Sequence, residues 1–422
     1  MNAPDKPFPF DAAIRGAAER LEAKVIAWRR DLHAHPELGN REFRTSKIVA
    51  DHLRALGIEV RDKVAHTGVV GILVGGLPGP VVALRADMDA LPVTEEVDLP
   101  FKSTVRTEWN GMQCGVMHAC GHDAHTAILM GVAEALAGIR ERIPGTVKFL
   151  FQPAEEGPPG EEKGGARLMI EERCLEEPKV GAIFGLHVTS NHHTGKIGYR
   201  SGALMASSDE LRVFVRGVQT HAAMPWRGVD PIVVGSQIVM GLQTIVARRM
   251  DITREPSVVT IGVFQAGVRK NIIPDEVRME GTIRTFDEAQ RDAIHEHVKR
   301  ITEMIAAAGG AKASVQIKRG YDVTVNDPPL TAWALPTLSR MAGEANVGVV
   351  DKVCGAEDFS FFQKAVPGVF LRLGCTPPGQ AIAKSAPNHS PRFFVDEGCL
   401  ALGVKALGAL ALDWLASASA KA

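Results

Sequence analysis

Apolar residues in the first part of the chain follow two different periods. Between residues 11 and 35 they recur at helical spacing, which predicts an amphipathic helix. The positions that set this spacing are Ile14, Ala18, Leu21, Val25 and Trp28. Two short uninterrupted apolar runs, at 68–75 and 81–87, instead predict buried strands.

The two patterns then alternate as far as residue 188. Helical patterns cover 42–56, 124–139 and 164–175, and strand patterns cover 145–156 and 180–188. Asp123 directly precedes the second of these helices, where its side chain is expected to cap the first turn. Alternating strands and helices favour a mostly parallel sheet covered by helices.

The pattern changes near residue 195. Strands are predicted at 209–218, 257–266 and 276–286, and helices at 230–250 and 287–308. With the strand-like stretch before 209 this gives a β-β-α-β-β-α order, typical of a small α+β unit. Alternation of the α/β kind returns after 312, with a helix at 329–343 and a strand at 368–374. The prediction is an α/β protein whose larger domain, 1–195 and 313–422, carries an inserted α+β domain, 196–312.

Composition excludes several classes of protein. Lys and Arg total 48 against 49 Asp and Glu, so there is no basic field to attract nucleic acid or an anionic membrane. No window approaches 18 uninterrupted apolar residues, so no transmembrane helix is expected. The N-terminus lacks the apolar stretch of a secretory signal, and six cysteines in 422 residues do not suggest a disulfide framework. A cytoplasmic protein is therefore expected.

One stretch, MHACGHDAH (117–125), is dense in side chains that bind metals. Cys120 and His122 are two residues apart in a loop entering a helix, so both side chains can reach one site. A thiolate binds zinc strongly, and its second lone pair can bridge two ions. Alone, this pair is equally consistent with a buried cysteine beside a surface histidine.

Other ligand-capable residues stand at predicted strand ends. They are Asp87 and Asp89 in RADMDALP, Glu155 and Glu156 in FQPAEE, and His187 in GLHV; His389 follows in the loop APNHSP. Open sheets of this class place their sites beyond the carboxyl ends of strands, so these residues are expected to converge. Read singly, the glutamates could belong to a solvated loop, His187 to the core, and the aspartates to a turn.

These parts favour one kind of chemistry. Metal ions polarise a carbonyl and activate water, and a glutamate beside them can take a proton from the water and return it to a leaving amine. Two adjacent carboxylates suit this division, with one binding metal and the other moving protons. The residues therefore predict a hydrolase for an amide or similar bond.

At this point the chain resembles a known family, the N-acyl-amino-acid amidohydrolases. This is the hippurate hydrolase and indoleacetyl-amino-acid hydrolase group of the aminoacylase/carboxypeptidase-like dinuclear metallopeptidases. The likeness runs from about residue 24 to 400 and rests on RRDLHAHPELGNREFRTS, RADMDALP, MHACGHDAH, FQPAEE, GLHV, HAAMPWRGVDP, NIIPDEVRMEGTIRTF, GAEDFSFF and NHSPRFF.

The resemblance implies roles for residues in the larger domain. Two divalent ions, Mn²⁺ or Zn²⁺ first and Co²⁺ or Ni²⁺ next, would be held by Cys120, His122, Glu156, His187 and His389. Glu155 would be the general base, and Asp89 would orient a ligand histidine. Asp87 stands where the wider superfamily has a ligand histidine, so its role is open. His118 and His125 stay unassigned, with hydrogen bonding or support of a metal ligand favoured over direct metal binding.

For the inserted domain, the resemblance implies a lid and a homodimer interface. His221 matches a histidine that stabilises the oxyanion, Asn271 a residue that contacts the substrate, and Arg284 an arginine that clamps a substrate carboxylate. The substrates would be small N-acyl-amino acids, such as N-acetyl or N-benzoyl conjugates. Two other hypotheses are a non-catalytic binder of metal or conjugate, and a thiol redox protein pairing Cys120 with Cys114.

Overall fold

The structure is a computed structural model, and it describes residues 10–419. Its helices are α1 (Asp11–Ala34), α2 (Phe43–Ala55), α3 (His122–Ala137), α4 (Gly165–Glu171), α5 (Pro231–Arg249), α6 (Glu288–Ala308), α7 (Pro328–Ala342), α8 (Phe359–Ala365) and α9 (Leu400–Ser419). Its strands are β1 (Glu59–Val64), β2 (Gly68–Val74), β3 (Leu77–Asp87), β4 (Arg106–Trp109), β5 (Met112–Gly115), β6 (Pro144–Gln152), β7 (Ala182–His193), β8 (Ile197–Tyr199), β9 (Gly202–Met205), β10 (Asp209–Arg216), β11 (Thr220–His221), β12 (Ser257–Ala266), β13 (Ile272–Ile273), β14 (Glu276–Thr285), β15 (Lys312–Arg319), β16 (Thr324–Asn326), β17 (Val347–Val349) and β18 (Gly368–Thr376).

The chain divides into two compact units. The first comprises residues up to Gly202 together with Asn326–Val350 and Phe361 onward, and the second comprises Ala203–Val325 with Asp351–Ser360. The predicted domain boundaries at 195 and 312 stay predictions.

An eight-stranded sheet, in the order β1-β2-β6-β3-β7-β18-β8-β17, forms the centre of the first unit. Its middle strands are parallel, with β3 between β6 and β7 and with β18 beside β7. β1, β2 and β6 pair antiparallel, as do β18 and β8. Parallel strands end at the same edge, so this order collects the loops after β3, β6 and β7. The predicted mostly parallel α/β fold is confirmed.

Three helices of the first unit, α1, α3 and α9, pack on one another through apolar side chains close to β3. α9 is rich in apolar residues, and 78% of its most apolar window is buried, which is typical of a core helix. By length and composition alone, it and α5 are the two helices in residues 10–419 that could cross a membrane. The α5 window is 33% buried.

The second unit has an antiparallel sheet in the order β12-β14-β10-β15. α5 and α6 contribute apolar residues to the core beside it, with Val213, Ile238, Met279 and Ile294 fully buried. A two-stranded ribbon of β11 and β13 lies in the same unit. β15 was not predicted, because its alternating residues, KASVQIKR, read as a polar stretch when taken without a partner strand.

The predicted cap of α3 is wrong. Gly121 is the N-cap residue, and Asp123 lies inside the first turn. Its buried carboxylate pairs with Arg29 Nε at 2.9 Å and His33 Nδ1 at 2.8 Å. These charge-assisted contacts to α1 outweigh a cap hydrogen bond to the helix backbone.

Close packing of α1, α3 and α9 depends on small residues. A Cβ atom at Gly131 of α3 would lie 2.8 Å from Val25 and 3.0 Å from Val404. We therefore expect Gly131→Val to lower the free energy of unfolding by roughly 1–3 kcal/mol through overpacking. Chemical denaturation measures the change. Gly348→Val is the control, because nothing lies within 4 Å of that position and a change within about 0.5 kcal/mol is expected. Equal stability of the two variants would contradict this packing.

Candidate metal centre

The first unit brings seven of the ten predicted site residues together. Asp89 follows the end of β3, Glu155 and Glu156 follow β6, and His187 lies in β7. Cys120 and His122 stand at the start of α3, and His389 lies in the loop after β18. All but Glu156 and His389 are buried. The shared edge of the sheet thus gathers residues separated by up to three hundred positions in sequence.

The loop that carries Cys120 and His122 turns tightly at Gly121. This residue has φ +95°, and a Cβ atom there would lie 2.3 Å from the Val188 side chain. A side chain is therefore excluded twice, by the backbone conformation and by the neighbouring strand β7. Glycine lets the loop press against β7, which brings Cys120 Sγ to 3.2 Å from His187 Nε2.

The donor atoms form overlapping groups whose members lie within 4.8 Å of one another. One group is Cys120, His122 and His187, a second is Cys120, Glu156 and His389, and a third is His122, Glu155 and Glu156. Cys120 belongs to the first two. If each of these two groups held one ion, Cys120 would be a ligand common to both.

The buried histidines turn lone pairs toward this cluster. Nδ1 of His122 lies 3.1 Å from Asp89 as a donor, so the neutral ring would carry its lone pair on Nε2. That Nε2 is buried and has no hydrogen-bond partner among the described residues. His187 Nδ1 donates to the Val188 carbonyl at 2.6 Å, which leaves Nε2 facing Cys120. A buried nitrogen without a partner is costly unless it has another use, and binding a metal is such a use.

The charges of the cluster also call for a cation. Burial, with the carboxylates of Glu156 and Glu155, raises the pKa of the Cys120 thiol well above its ordinary value. Burial disfavours charge on His122, yet Asp87 and Asp89 raise its pKa to about 10. Without a metal, Cys120 and His122 therefore stay protonated. A bound metal cation would displace these protons, so that the thiol becomes a thiolate. The donor set of thiolate, imidazole and carboxylate fits divalent ions.

Asp87 and His125, whose roles the sequence left open, form a support behind the cluster. His125 Nδ1 donates to Asp87 at 2.5 Å, and His125 Nε2 accepts the Val188 N–H at 2.8 Å. Arg85 donates to the other oxygen of Asp87 at 2.6 Å. Val188 is the neighbour of His187, so this chain of hydrogen bonds holds the strand that carries a candidate ligand.

The loop with His389 is also held in place. Asn388 donates to the carbonyl groups of Cys120 and Val188, at 3.1 and 3.2 Å, and the His389 N–H donates to Ala119 at 2.8 Å. His389 itself has φ +72°, and its Nε2 lies 3.0 Å from Glu156. Sequence reasoning did not identify Asn388, although its place beside His389 in the motif NHSP was a signal.

His118 differs from its neighbours. It is 2% exposed, and neither ring nitrogen has a partner among the described residues. Burial lowers its pKa to about 4, so the ring is neutral. It lies beside the buried pair of His33 and Asp123, with ring centroids of His118 and His33 6.4 Å apart. No contact in the described chain supports the hydrogen bond expected for it.

The other three predicted residues lie in the second unit. His221 and Asn271 are adjacent there, because β11 pairs with β13 and the Ala222 N–H donates to the Asn271 carbonyl at 3.0 Å. The Ala223 N–H donates to His221 Nδ1 at 3.0 Å, which fixes the proton of the neutral ring on Nε2. Arg284 lies on β14, and burial lowers the pKa of its guanidinium.

This fold and cluster define a metallohydrolase with sites for a pair of ions, and comparison with known proteins agrees. Residues 83–413 match the family described as Peptidase family M20/M25/M40. Thermostable carboxypeptidase 1 of Saccharolobus solfataricus is 39% identical over 403 residues, covering 95% of this chain and 98% of that protein. N-acetylcysteine deacetylase of Bacillus subtilis is 38% identical over 397 residues, covering 94% and 98%.

A solved structure supports the same family assignment. A Bacillus subtilis protein, YXEP, described as a dinuclear metal binding peptidase from the M20 family, superposes with a TM-score of 0.78. It is 36% identical, and the match covers 94% of this chain and 99% of that one. The chain belongs to the M20 peptidase family, and it is a metal-dependent amidohydrolase. The predicted family resemblance is confirmed.

Asp89 offers a test of the metal centre, because its two oxygens accept from His122 and from the Glu156 N–H at 2.9 Å. An asparagine has one accepting oxygen, so Asp89→Asn leaves one of these donors without an acceptor. We expect metal affinity to fall about 10- to 100-fold, measured by competition with a chelator. The matched control is Asp62→Asn, an exposed residue paired with Arg54. Unchanged affinity in Asp89→Asn would remove Asp89 from the orienting role.

Proposed function

We propose that this protein hydrolyses the amide bond of N-acyl-amino acids and releases a carboxylic acid and a free amino acid. The observation that carries the proposal is the position of Glu155. Its carboxylate is 5% exposed and lies in one group with His122 and Glu156, with an oxygen 4.0 Å from His122 Nε2. A carboxylate beside a metal-ligand cluster, and outside the five-residue donor set, suits a proton carrier.

Cys120, His122, Glu156, His187 and His389 are the proposed ligands of two divalent ions. When bound, the ions supply Lewis acidity toward a carbonyl oxygen and activation of water. Zinc favours the thiolate, and manganese, cobalt and nickel are compatible with the imidazole and carboxylate donors. The His125–Asp87–Arg85 hydrogen bonds hold the strand of His187, and Asn388 holds the loop of His389.

Glu155 is the proposed general base and acid. Its side chain takes a proton from the attacking water and later gives it to the departing amine nitrogen, so the carboxylate ends the cycle as it began. Burial favours this exchange, because a largely dehydrated carboxylate has few competing water molecules. Glu156 is the partner carboxylate, and its backbone is fixed by Asp89.

The second unit supplies the proposed substrate contacts. His221 carries its proton on Nε2, and that N–H is a suitable donor for the negative oxygen that develops from the amide carbonyl. Arg284 is a fork of donors suited to the free carboxylate of the amino-acid part, and Asn271, adjacent to His221, is the proposed additional contact. Binding of this carboxylate by Arg284 would favour N-acyl-amino acids over simple amides, which lack the carboxylate.

Names of relatives support this substrate class. One relative is an N-acetylcysteine deacetylase and another is a carboxypeptidase. Both reactions break an amide, and a carboxypeptidase also leaves an amino acid with a free carboxylate. Peptides are therefore the second candidate substrate class, in which the acyl part is itself an amino acid. N-acetyl and N-benzoyl conjugates remain the first candidates.

A homodimer formed through the second unit is also proposed. Its two sheet edges differ in charge, since β15 carries Lys312, Lys318 and Arg319 whereas β12, SVVTIGVFQA, carries no charged residue. Charged side chains protect an edge strand from pairing, so β12 is the unprotected edge. Exposed apolar side chains accompany it, including Val258, Val263 and Phe264 on β12 and Val233 and Met240 on α5. Pairing of two β12 edges would cover them.

Reconstitution tests the activity directly. The protein is stripped with chelator, reloaded with Mn²⁺ or Zn²⁺, and assayed for amine release from N-benzoylglycine, N-acetyl-amino acids and dipeptides. We expect metal-dependent release, and faster release from the acyl conjugates than from dipeptides.

Glu155→Gln should keep both ions and lose at least about 100-fold in kcat, because general acid–base catalysis contributes about that much. Full turnover by Glu155→Gln would remove Glu155 from the base role.

Light scattering after size-exclusion chromatography tests the dimer. We expect the mass of two chains for the wild type and of one chain for a Val263→Lys/Met240→Lys variant, because two buried lysines would oppose pairing. Val349→Lys, at an exposed apolar position on β17, is the control and should stay dimeric. A monomeric wild type would contradict the proposed interface.

A further inference from the structure

Glu42 is a fully buried carboxyl group to which no role has been assigned. It stands at the N-cap position of α2, where an acidic side chain commonly accepts from the first amide groups of the helix. Here its side chain makes no cap hydrogen bond. Glu37 takes that task, accepting from the amide groups of Arg44 and Thr45 at 2.9 and 2.8 Å. The Glu42 side chain is thereby available for another use.

The use that the structure gives it is a contact with the loop of the candidate general base. One Glu42 oxygen accepts the Ala154 N–H at 2.9 Å, and the other accepts the Thr67 hydroxyl. Ala154 immediately precedes Glu155. Its backbone is in the left-handed region, with φ +51°, which an alanine rarely adopts without support.

Neighbouring backbone confirms that this contact is built into the packing. A Cβ atom at Gly39 would lie 2.8 Å from the Gly157 carbonyl oxygen and 3.1 Å from Ala154 Cα. The loop before α2 therefore lies directly against the turn at Ala154. The Glu42 backbone is itself fixed, because its carbonyl accepts the Ser46 N–H at 2.8 Å in the first turn of α2.

The turn that presents Glu155 is thus held at both ends by buried carboxyl groups. Glu42 accepts the N–H before Glu155, and Asp89 accepts the N–H of Glu156 after it, both at 2.9 Å. The two supports serve different residues, because Asp89 also orients His122 and so belongs to the metal ligands. Glu42 contacts no member of the ligand set in the described contacts.

We propose that Glu42 is a positioning residue for Glu155. Glu42 holds the left-handed turn at Ala154 and so orients the carboxylate of the proposed general base. This inference rests on the proposed function, since it needs Glu155 as the base. Small displacements of a catalytic group have large effects on rate, with a shift of about 1 Å costing about 100-fold.

Glu42→Ala is the direct test. We expect kcat for an N-acyl-amino acid to fall about 10- to 100-fold, with KM changed less than about threefold and two ions per chain retained. Elemental analysis measures the ions. Glu42→Asp, which is one methylene too short to reach the Ala154 N–H, should lose kcat in the same way and serves if the alanine variant does not fold.

Three further variants separate positioning from general structure. Glu42→Gln keeps an accepting oxygen for the Ala154 N–H. Burial and the charge of Asp89 raise the pKa of Glu42 to about 8, so a neutral glutamine resembles the protonated glutamate. The kcat of Glu42→Gln should therefore stay within about fivefold of the wild-type value. Thr67→Val removes only the other partner and should leave kcat within about twofold. Ala154→Gly in the Glu42→Ala background should recover about tenfold in kcat, because glycine adopts the turn unaided.

The outcomes distinguish this inference from the proposed function. Wild-type kcat in Glu42→Ala and Glu42→Asp, while Glu155→Gln is inactive, would overturn the positioning role alone. Loss of bound metal in step with kcat would also overturn it, because Glu42 would then act through the ligands. Full turnover by Glu155→Gln would overturn the base assignment instead.

Discussion

The rest of the site depends on a concentration of buried negative charge at one edge of the sheet of the first unit. Asp87, Asp89 and Glu155 are at most 5% exposed, and the thiol of Cys120 lies among them. Such groups are costly to bury unless cations or hydrogen bonds compensate them. Arg85 compensates Asp87. Divalent cations bound to the cluster would compensate the remaining groups.

The hydrogen bonds that support the cluster go either to the backbone or to the ring nitrogen of a ligand histidine that faces away from the cluster. Asp89 accepts from His122 Nδ1, His125 accepts from the Val188 amide, and Asn388 donates to two carbonyl groups. The inward donor atoms lie close to one another, as with Cys120 Sγ and His187 Nε2 at 3.2 Å. The proposed role of Glu42 extends the same arrangement to Glu155, the proposed general base. Strand ends and helix starts carry most of these groups, and such elements hold a site more precisely than loops do.

Much of the fold followed from the hydrophobic pattern, because long buried strands such as β3 and β6 and helices such as α1 and α6 have strong periods. β15 was missed because one face of an exposed edge strand is polar. The residues of the cluster were found because they stand in short motifs at strand ends. Glu42 and the link from Asp87 through His125 could not be predicted, since each depends on a contact between segments far apart in sequence. Asp123 was misassigned for the same reason, as its partner Arg29 lies on another helix. Asn388 was overlooked, although the motif NHSP was a signal.

Anomalous diffraction from crystals of the zinc-loaded protein most directly tests the proposed two-ion centre, in which Cys120 would be a ligand of both ions. We expect two peaks beside Cys120, with its sulfur about 2.3 Å from each ion, one peak next to His187 and the other next to Glu156 and His389. A single ion, or a pair that leaves Cys120 without a bond to metal, would contradict this centre.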